Sequence, residues 1–319
     1  MKTVSLVIPA LNESQALPLL LKRLDSISKD LPNYRFEFLF IDDGSSDGTD
    51  QLLIQAAKAD SRVSYIILSR NFGKDIAVQA GLDQADGDAV VTLDADLQDP
   101  PELIGEMLGL WEQGYQNVYA RRRSRSEDAW PKRFTAWAYY RLLQRTTRTS
   151  IQLDTGDFRL LDRRCVLALR QVREHGRQNK ALFSWIGYKK ASVDFDRPAR
   201  AAGSTKYGWR KMTNHAIDGL LSFTTVPLRL ATVVGALTSL AAFIYMIYLV
   251  IRTAFYGTDV GGYPSTVVFI LFLGGAQLLA LGIIGEYVGR IFMEVKRRPN
   301  YLVSLEHRSG WPSENGPQE

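Results

Sequence analysis

Short apolar runs alternate with amphipathic stretches along the N-terminal part of the chain. Apolar runs of strand length, each typical of a buried strand, occur at residues 4–8, 36–41, 63–68 and 89–93. The stretches between them carry apolar residues at helical spacing and predict helices over about 14–29, 49–59 and 74–85. This alternation predicts right-handed βαβ units and a doubly wound, mostly parallel sheet.

The same pattern continues less regularly downstream. Further helices are predicted over about 101–113 and 162–172, and further strands over 117–120 and 191–195, the last at a sheet edge. Neither G-x-G-x-x-G nor G-x-x-x-x-G-K-[ST] occurs in the chain. The sequence therefore offers neither a dinucleotide-binding fingerprint nor a P-loop.

Polar clusters follow the predicted strands, and the most acidic of them follows the fourth strand. In doubly wound sheets, ligands bind beyond the carboxyl ends of the strands. Asp94 and Asp96 lie two residues apart there, so both carboxylates can face one target. Two such carboxylates repel each other unless a cation lies between them. A hard cation such as Mg²⁺ or Mn²⁺, shared with phosphate oxygens, fits this pair.

The alternative for this acidic stretch is an ordinary solvated turn. In that interpretation Asp99 is the N-cap of the following helix, and Pro100 and Pro101 open it. Spacing alone does not separate the two interpretations.

The amino-acid composition limits the classes of molecule that the protein could bind. The 319-residue chain has a formal net charge of +5, which admits nucleic acid, anionic lipid or phosphorylated substrates. Cys165 is the one cysteine, which excludes an internal disulfide framework and fits a reducing compartment. Three histidines and one cysteine do not make a zinc site of the usual kind.

Four stretches with basic residues, between residues 121 and 223, are candidates for phosphate or membrane contact. Arginines at 121–125 could neutralise a diphosphate, with a solvated basic turn as the alternative. Residues 130–148 interleave aromatic and cationic side chains, which suits a helix in the lipid headgroup layer, an RNA-stacking surface or a core-covering helix. Residues 197–208 predict a loop able to close over anionic phosphates, and 209–223 an amphipathic interfacial helix.

Two long uncharged stretches follow, at 230–251 and 261–285. Each exceeds the roughly 20 residues needed to cross a bilayer, and both predict membrane-spanning helices; a buried soluble hairpin is the alternative. Lysines and arginines flank the pair on both outer sides. The positive-inside rule therefore predicts that both flanks and the N-terminal domain lie in the cytoplasm.

Five motifs, which follow one another along the chain, resemble those of a known protein family. They are Pro-Ala-Leu-Asn-Glu at 9–13, Asp-Asp-Gly-Ser-Ser-Asp at 42–47, Asn-Phe-Gly-Lys at 71–74, Asp-Ala-Asp-Leu-Gln-Asp-Pro-Pro at 94–101 and Gly-Asp-Phe-Arg at 156–159. Together with the two apolar stretches, the chain to about Val303 resembles the polyprenyl-phosphate glycosyltransferases of glycosyltransferase family 2. The GtrB-like bactoprenol glucosyltransferases are the nearest branch, and dolichol-phosphate mannose synthases are related to it.

The resemblance implies a fold and a domain order. It implies a GT-A catalytic domain, Rossmann-like with a mostly parallel sheet, over residues 1–208. An amphipathic interface helix over 209–228 and a two-helix transmembrane hairpin over 229–293 would follow, with spans at about 230–252 and 262–287. Residues 294–319 would form a cytoplasmic tail that is disordered at its end. The protein would be a multi-pass protein of the bacterial inner membrane, with both termini cytoplasmic.

The resemblance also implies a reaction, which is transfer of a hexose, glucose first among them, from a UDP-sugar to undecaprenyl phosphate with inversion. Asp157, at the acceptor, and Asp94 would be catalytic, with Asp157 either orienting the acceptor or taking its residual proton. Asp96 and Gln98 would hold Mg²⁺ or Mn²⁺ on the diphosphate. The residues expected to bind substrate are Pro9, Ala10, Glu13, Asp42, Asp43, Lys74, Asp94, Ala95, Arg122, Arg200, Ser204 and Lys206.

Two other functions share parts of this pattern. A processive polysaccharide synthase would have the same nucleotide domain, but the chain lacks a Gln-x-x-Arg-Trp motif. A membrane-anchored nucleotide-sugar sensor would bind the donor without turnover.

The partners that the resemblance implies are a UDP-sugar, a polyprenyl phosphate, the bilayer and a second copy of the chain. Nucleic acid is not expected, because it would explain the charge but not the two apolar stretches.

Overall fold

The computed structural model describes residues 1–122, 155–195, 226–256 and 263–308. These residues fall into two compact units. The sheet unit contains residues 1–122, 155–195 and 299–308 of the described chain, and the helical unit contains 226–256 and 263–298. The sheet unit is therefore discontinuous in sequence.

The sheet unit is built on one eight-stranded sheet of the described residues, in the order β7-β5-β6-β4-β1-β2-β3-β8. β1 pairs in parallel with β2 and β4, β2 with β3, and β5 with β7, whereas β6 and β8 run antiparallel to their neighbours. This confirms the predicted α/β fold with a mostly parallel sheet. The strands are β1 (Lys2–Ala10), β2 (Tyr34–Asp42), β3 (Val63–Leu68), β4 (Ala89–Thr92), β5 (Asn117–Arg122), β6 (Thr155–Asp162), β7 (Lys190–Phe195) and β8 (Val303–His307).

Five of the six described helices of the sheet unit match predicted helices, whereas the helix over Asn179–Trp185 was not predicted. In α1, Leu17, Leu20, Leu24 and Ile27 repeat at helical spacing and are all buried, so one apolar stripe faces the sheet. Asp162 caps its helix by accepting a hydrogen bond from the Arg164 backbone N–H. The helices are α1 (Leu17–Asp30), α2 (Thr49–Ala59), α3 (Lys74–Gln84), α4 (Ile104–Glu112), α5 (Arg163–Arg170) and α6 (Asn179–Trp185).

The acidic stretch after β4 differs from its ordinary-turn interpretation. A 3₁₀ turn over Pro101–Leu103 precedes α4, and its N-cap position is Pro100, with no side-chain capping bond. Asp99 is buried and is not the cap. The prolines do open the helical segment, as expected from their fixed φ.

Two strands were not predicted from the sequence. β6 carries Gly156, Asp157 and Arg159 between its apolar residues, so neither alternation nor a continuous apolar run marks it. Antiparallel pairing on both sides fixes it, with Leu160 opposite Val91 of β4 and Val118 of β5. β8 is short and exposed along its whole length, and its antiparallel pairing with β3 covers a sheet edge.

The helical unit contains two long helices, α7 (Val226–Tyr256) and α8 (Tyr263–Val295). The rings of Tyr245 and Phe269 stack between them with centroids 4.5 Å apart. In the described part of the chain, no helix meets the length and apolarity that a membrane crossing requires. The predicted transmembrane spans are thus not supported by the structure.

The close contact between α3 and the sheet yields a prediction about stability. A methyl group on Gly81 would lie 2.2 Å from Val7 Cγ1 and 2.6 Å from Ile41 Cδ1. Gly81→Ala should therefore overpack this contact and lower the free energy of unfolding by about 1–3 kcal/mol, measured by urea denaturation.

Gly109→Ala in α4 is the matched control. No atom lies within 4 Å of its added methyl group, so this change should be neutral or stabilising by about 0.4–1 kcal/mol. Equal effects of the two substitutions would show that the α3 contact is not tight.

Candidate active site

The parallel strands β1, β2 and β4 are neighbours, so their carboxyl ends lie side by side along one edge of the sheet, the edge at which these strands end. Ala10 lies opposite Asp42, and Val7 lies opposite Thr92. The Asp43 backbone N–H donates to the Ala10 carbonyl over 2.9 Å. Four of the predicted site residues, Pro9, Ala10, Asp42 and Asp94, therefore lie at or just beyond this edge, where a parallel sheet binds its ligands.

The loops after β1 and β2 are locked together by short polar side chains. The Asn12 side chain accepts from the Ser46 backbone N–H over 2.8 Å, and the Glu13 backbone N–H donates to Thr49 Oγ1 over 2.9 Å. Burial alone would raise the pKa of Asp47, but hydrogen bonds from Thr49 and Ser14 lower it to about 2. These bonds fix the backbone of Glu13, a predicted substrate contact.

Asp42 and Asp43 are both almost fully buried, at 1% and 2% exposure. Asp42 accepts from the Ser45 backbone N–H and hydroxyl. Asp43 accepts from the backbone N–H groups of Phe72 and Gly73 over 2.7 and 2.9 Å. Burial is the larger influence on both carboxyls and raises their pKa despite these bonds. In this structure both side chains organise loops, and Asp43 holds the two residues that precede Lys74.

Gly44 allows the loop after β2 to touch the loop after β3. Its φ is +72°, and a Cβ here would lie 2.6 Å from the Arg70 carbonyl carbon. An L side chain fits neither this conformation nor this space. The close approach brings Asp43 within reach of Phe72 and Gly73.

Lys74 joins two predicted catalytic carboxylates. Its Nζ lies 2.6 Å from Asp94 Oδ2 and 2.8 Å from Asp157 Oδ2. Lys74 begins α3, Asp94 follows β4, and Asp157 lies in β6, so three separate elements meet at this lysine–carboxylate triad. Burial alone would lower the pKa of Lys74, but the two carboxylates raise it. The cation that compensates Asp94 here is an ammonium group.

Asp157 is held in its ionised form. Burial would raise its pKa, but the positive charges of Lys74, Lys180 and Arg159 lower it to about 2. Its backbone carbonyl accepts a hydrogen bond from the Thr92 hydroxyl. Its Oδ1 is buried and has no hydrogen-bond partner among the described residues. A carboxylate with so low a pKa has little affinity for a proton at neutral pH.

Arg159 supports Asp157 from inside the core, and sequence reasoning did not assign it a role. It is fully buried, and its guanidinium carbon lies 4.1 Å from the centroid of the Phe183 ring. It donates to the Gly156 carbonyl over 3.1 Å and to Asn117 Oδ1 over 3.5 Å. Burial lowers its pKa to about 10, so it remains a cation at neutral pH. An arginine among the apolar residues Phe158, Leu160 and Leu161 was the available signal.

The loop that carries the predicted metal ligands is tightly turned. Leu97 has a φ of +61°, an uncommon conformation for a bulky residue. The Gln98 backbone N–H donates to Asp96 Oδ1 over 3.1 Å, and Ala95 and Gln98 are buried. No group of three acidic, histidine or cysteine side chains that could hold a metal occurs in the described residues. Asp96 and Gln98 carry side-chain oxygens of the kind that a hard cation prefers, whereas Asp94 of the same loop is paired with Lys74.

The remaining predicted contacts lie at the border of the described residues or beyond it. Arg122 ends β5, and its neighbour Arg121 pairs with Asp194 over 2.7 Å. Arg200, Ser204 and Lys206 lie outside the described residues, as do the aromatic and basic stretch at 130–148 and the interfacial segment at 209–223. Their roles stay predictions.

Comparison with known proteins identifies the family. Residues 5–169 match the sequence model described as glycosyl transferase family 2. The chain belongs to glycosyltransferase family 2. Residues 226–291 of this glycosyltransferase match the model described as the GtrB C-terminal hairpin. The resemblance drawn from the five motifs is thereby confirmed.

Relatives align along almost the full length of the glycosyltransferase. It is 47% identical to an uncharacterized glycosyltransferase of Synechocystis sp., over 94% of each chain. It is 41% identical to the SfII prophage-derived bactoprenol glucosyl transferase of Shigella flexneri, over 96% of this chain and 98% of the relative. Among solved structures, it resembles mannosyl-3-phosphoglycerate synthase from Rubrobacter xylanophilus, with 19% identity and a TM-score of 0.49 over 68% of this chain and 71% of that chain.

The lysine–carboxylate triad yields a prediction about pH dependence. The pKa of Asp157 is lowered from 3.8 to about 2, so its ionisation stabilises the fold at neutral pH, and this contribution is lost as pH falls through that interval. Lys74→Met removes the nearest positive charge. The free energy of unfolding should then fall at neutral pH, and the difference from the wild type should shrink as pH falls below about 4.

Lys180→Met is the control for this measurement. Lys180 contributes less than Lys74 to lowering the pKa of Asp157, so its removal should produce a smaller effect of the same sign. A pH-independent difference between wild type and Lys74→Met would contradict the role assigned to the triad.

Proposed function

We propose that this family 2 glycosyltransferase transfers glucose from UDP-glucose to undecaprenyl phosphate, with inversion at the sugar. The observation that carries the proposal is the relative of 41% identity that is named a bactoprenol glucosyl transferase and aligns over 98% of its own length. A match of that extent covers both the sheet unit and the hairpin segment. The arrangement of charges at the sheet edge is compatible with this chemistry.

On the donor side, the main requirement is neutralisation of the leaving diphosphate. Asp96 and Gln98 would hold Mg²⁺ or Mn²⁺, which would supply positive charge to the diphosphate oxygens. Pro9, Ala10 and Glu13 would line the nucleotide pocket, and Asp42 would face the base or ribose. Arg122, at the end of β5, would meet the phosphates, as would Arg200, Ser204 and Lys206 from a segment outside the described residues.

On the acceptor side, a strong base is not needed. The second pKa of a phosphate monoester is about 6, so most of the acceptor is already a dianion at neutral pH. One of its oxygens attacks C1 of glucose, the bond from C1 to the diphosphate oxygen breaks, and the electron pair leaves with UDP. An Asp157 with a pKa of about 2 suits orientation of the acceptor better than proton removal. Lys74 would offset the repulsion between this carboxylate and the incoming phosphate.

The proposal includes association of the helical unit with the bacterial inner membrane, with the sheet unit in the cytoplasm. A polyprenyl acceptor is a membrane lipid, so the enzyme has to reach a bilayer. Large apolar side chains are exposed along both long helices, among them Leu237, Leu240, Ile244, Ile270, Leu278 and Leu281. Self-association of the chain stays a prediction from the sequence.

The direct test is release of UDP from UDP-glucose by the full-length protein in detergent or vesicles. Release should require undecaprenyl phosphate, should be lost in chelator and should be restored by Mg²⁺ or Mn²⁺. UDP-galactose and UDP-N-acetylglucosamine serve as competing donors. Faster turnover with either of them would overturn the choice of glucose, and equal release without lipid would overturn the acceptor.

Replacement of Asp157 separates orientation from base catalysis. Asp157→Asn should lower kcat by about 100-fold, because Lys74, the cation that would meet the acceptor phosphate, loses one of the two carboxylates that position it. In the wild type, kcat should show no acidic limb from this group above about pH 4, since its pKa is about 2. Asp30→Asn, at an exposed position at the end of α1, should leave kcat unchanged. An acidic limb near neutrality that disappears in Asp157→Asn would make Asp157 a true base.

Replacement of Asp96 tests the metal assignment. Asp96→Ala should abolish the part of UDP affinity that depends on added Mn²⁺ or Mg²⁺, measured by titration calorimetry with and without chelator. Glu106→Ala, on the exposed side of α4, should retain that dependence. If the wild type binds UDP equally tightly in chelator, no metal is held at this loop.

A further inference from the structure

The chain returns to the sheet unit after the helical unit. Residues Pro299–Arg308, which we call the C-terminal strap, belong to the sheet unit. Within the strap, β8 pairs with β3, with Leu305 opposite Ile67 and His307 opposite Tyr65. The Ser69 backbone N–H donates to the Leu302 carbonyl over 2.9 Å. The backbone of the strap is therefore fixed on the edge of the sheet.

The side chains of the strap bind along α3 and just beyond its end. Asn300 Nδ2 donates to Gln79 Oε1 over 2.9 Å, and the Tyr301 hydroxyl donates to Asp83 Oδ2 over 3.0 Å. Arg308 donates to the Gln84 carbonyl. Gln79 is 1% exposed, and the Asp83 side chain is 9% exposed. Hydrogen bonds to buried polar groups are costly to lose, so these contacts hold α3 in place.

The same helix begins at Lys74, whose Nζ lies between Asp94 and Asp157. α3 also lies in close contact with β1 and β2 at Gly81. A hydrogen-bonded helix of this length moves as a rigid body, rising about 1.5 Å per residue. A shift of α3 at Gln79 or Asp83 is therefore expected to displace its first turn and the Lys74 backbone.

We propose that Asn300 and Tyr301 are positioning residues for glycosyl transfer, which act by holding α3 so that Lys74 stays between the two carboxylates. The family matches cover residues 5–169 and 226–291 and end before the strap. The inference goes beyond the proposed function, because it depends on transfer and not on which sugar or lipid is used. A displacement of about 1 Å at a reacting centre is enough to cost up to 100-fold in rate.

The kinetic test uses full-length Asn300→Ala/Tyr301→Phe with UDP-glucose and undecaprenyl phosphate. The double variant should lower kcat about tenfold with little change in the KM for donor. Ser304→Ala, an exposed position of β8, should match the wild type. In a Lys74→Met background, the strap substitutions should have no further effect on the residual kcat, because they act through Lys74. If the strap substitutions lower kcat by the same factor in the wild type and in the Lys74→Met variant, the proposal is overturned.

A second measurement does not depend on the substrates. Hydrogen–deuterium exchange of the double variant should increase at the first turn of α3, around Lys74, as well as in the strap itself. Faster exchange confined to residues 299–308 and the end of α3 would overturn the proposal. If the wild type shows no turnover with UDP-glucose and undecaprenyl phosphate, the proposed function fails, and exchange at Lys74 alone decides the inference about the strap.

Discussion

A lysine ammonium between two buried or half-buried carboxylates is the interaction on which the site depends. Lys74 lies within 2.8 Å of both Asp94 and Asp157. Without this cation, the pKa of the Asp157 carboxyl would lie higher, because burial raises it and Lys74 is first among the positive charges that lower it. The lysine therefore helps to keep Asp157 ionised before any substrate arrives.

Several layers of the fold serve to place that lysine. Asp43 holds the backbone of Phe72 and Gly73 immediately before it. Asn179 anchors the next residue, since its backbone N–H donates to Asp75 Oδ1 over 2.9 Å. Arg159, buried against Phe183, supports the strand that carries Asp157. These groups are buried, polar and hydrogen-bonded, which is how proteins fix a geometry that packing alone leaves loose.

The sequence predicted the parallel part of the sheet well, because its strands are continuous apolar runs bounded by turn residues. The run at 63–68 became β3 without change, and Asp94 lies beyond β4 as expected. β6 was missed because its polar residues Asp157 and Arg159 are paired with residues distant in sequence. β8 was missed because it is short and is fixed by pairing with the distant strand β3. The active site was likewise predicted only in part. Asp94 and Asp157 were predicted to be catalytic, but their shared contact with Lys74 depends on where β6 lies, which no local pattern encodes.

The position of β8 has a consequence for how the enzyme can be divided. The sheet unit is assembled from segments on both sides of the helical unit, and its outermost strand is supplied by residues 303–307. A protein truncated at residue 208 would therefore leave the edge of β3 unpaired and open to association with other chains. It would also leave Gln79 and Asp83 without their partners from Asn300 and Tyr301. Residues 1–208 are thus an incomplete folding unit, and a protein that lacks the helical unit has to retain residues 299–308 to complete the sheet.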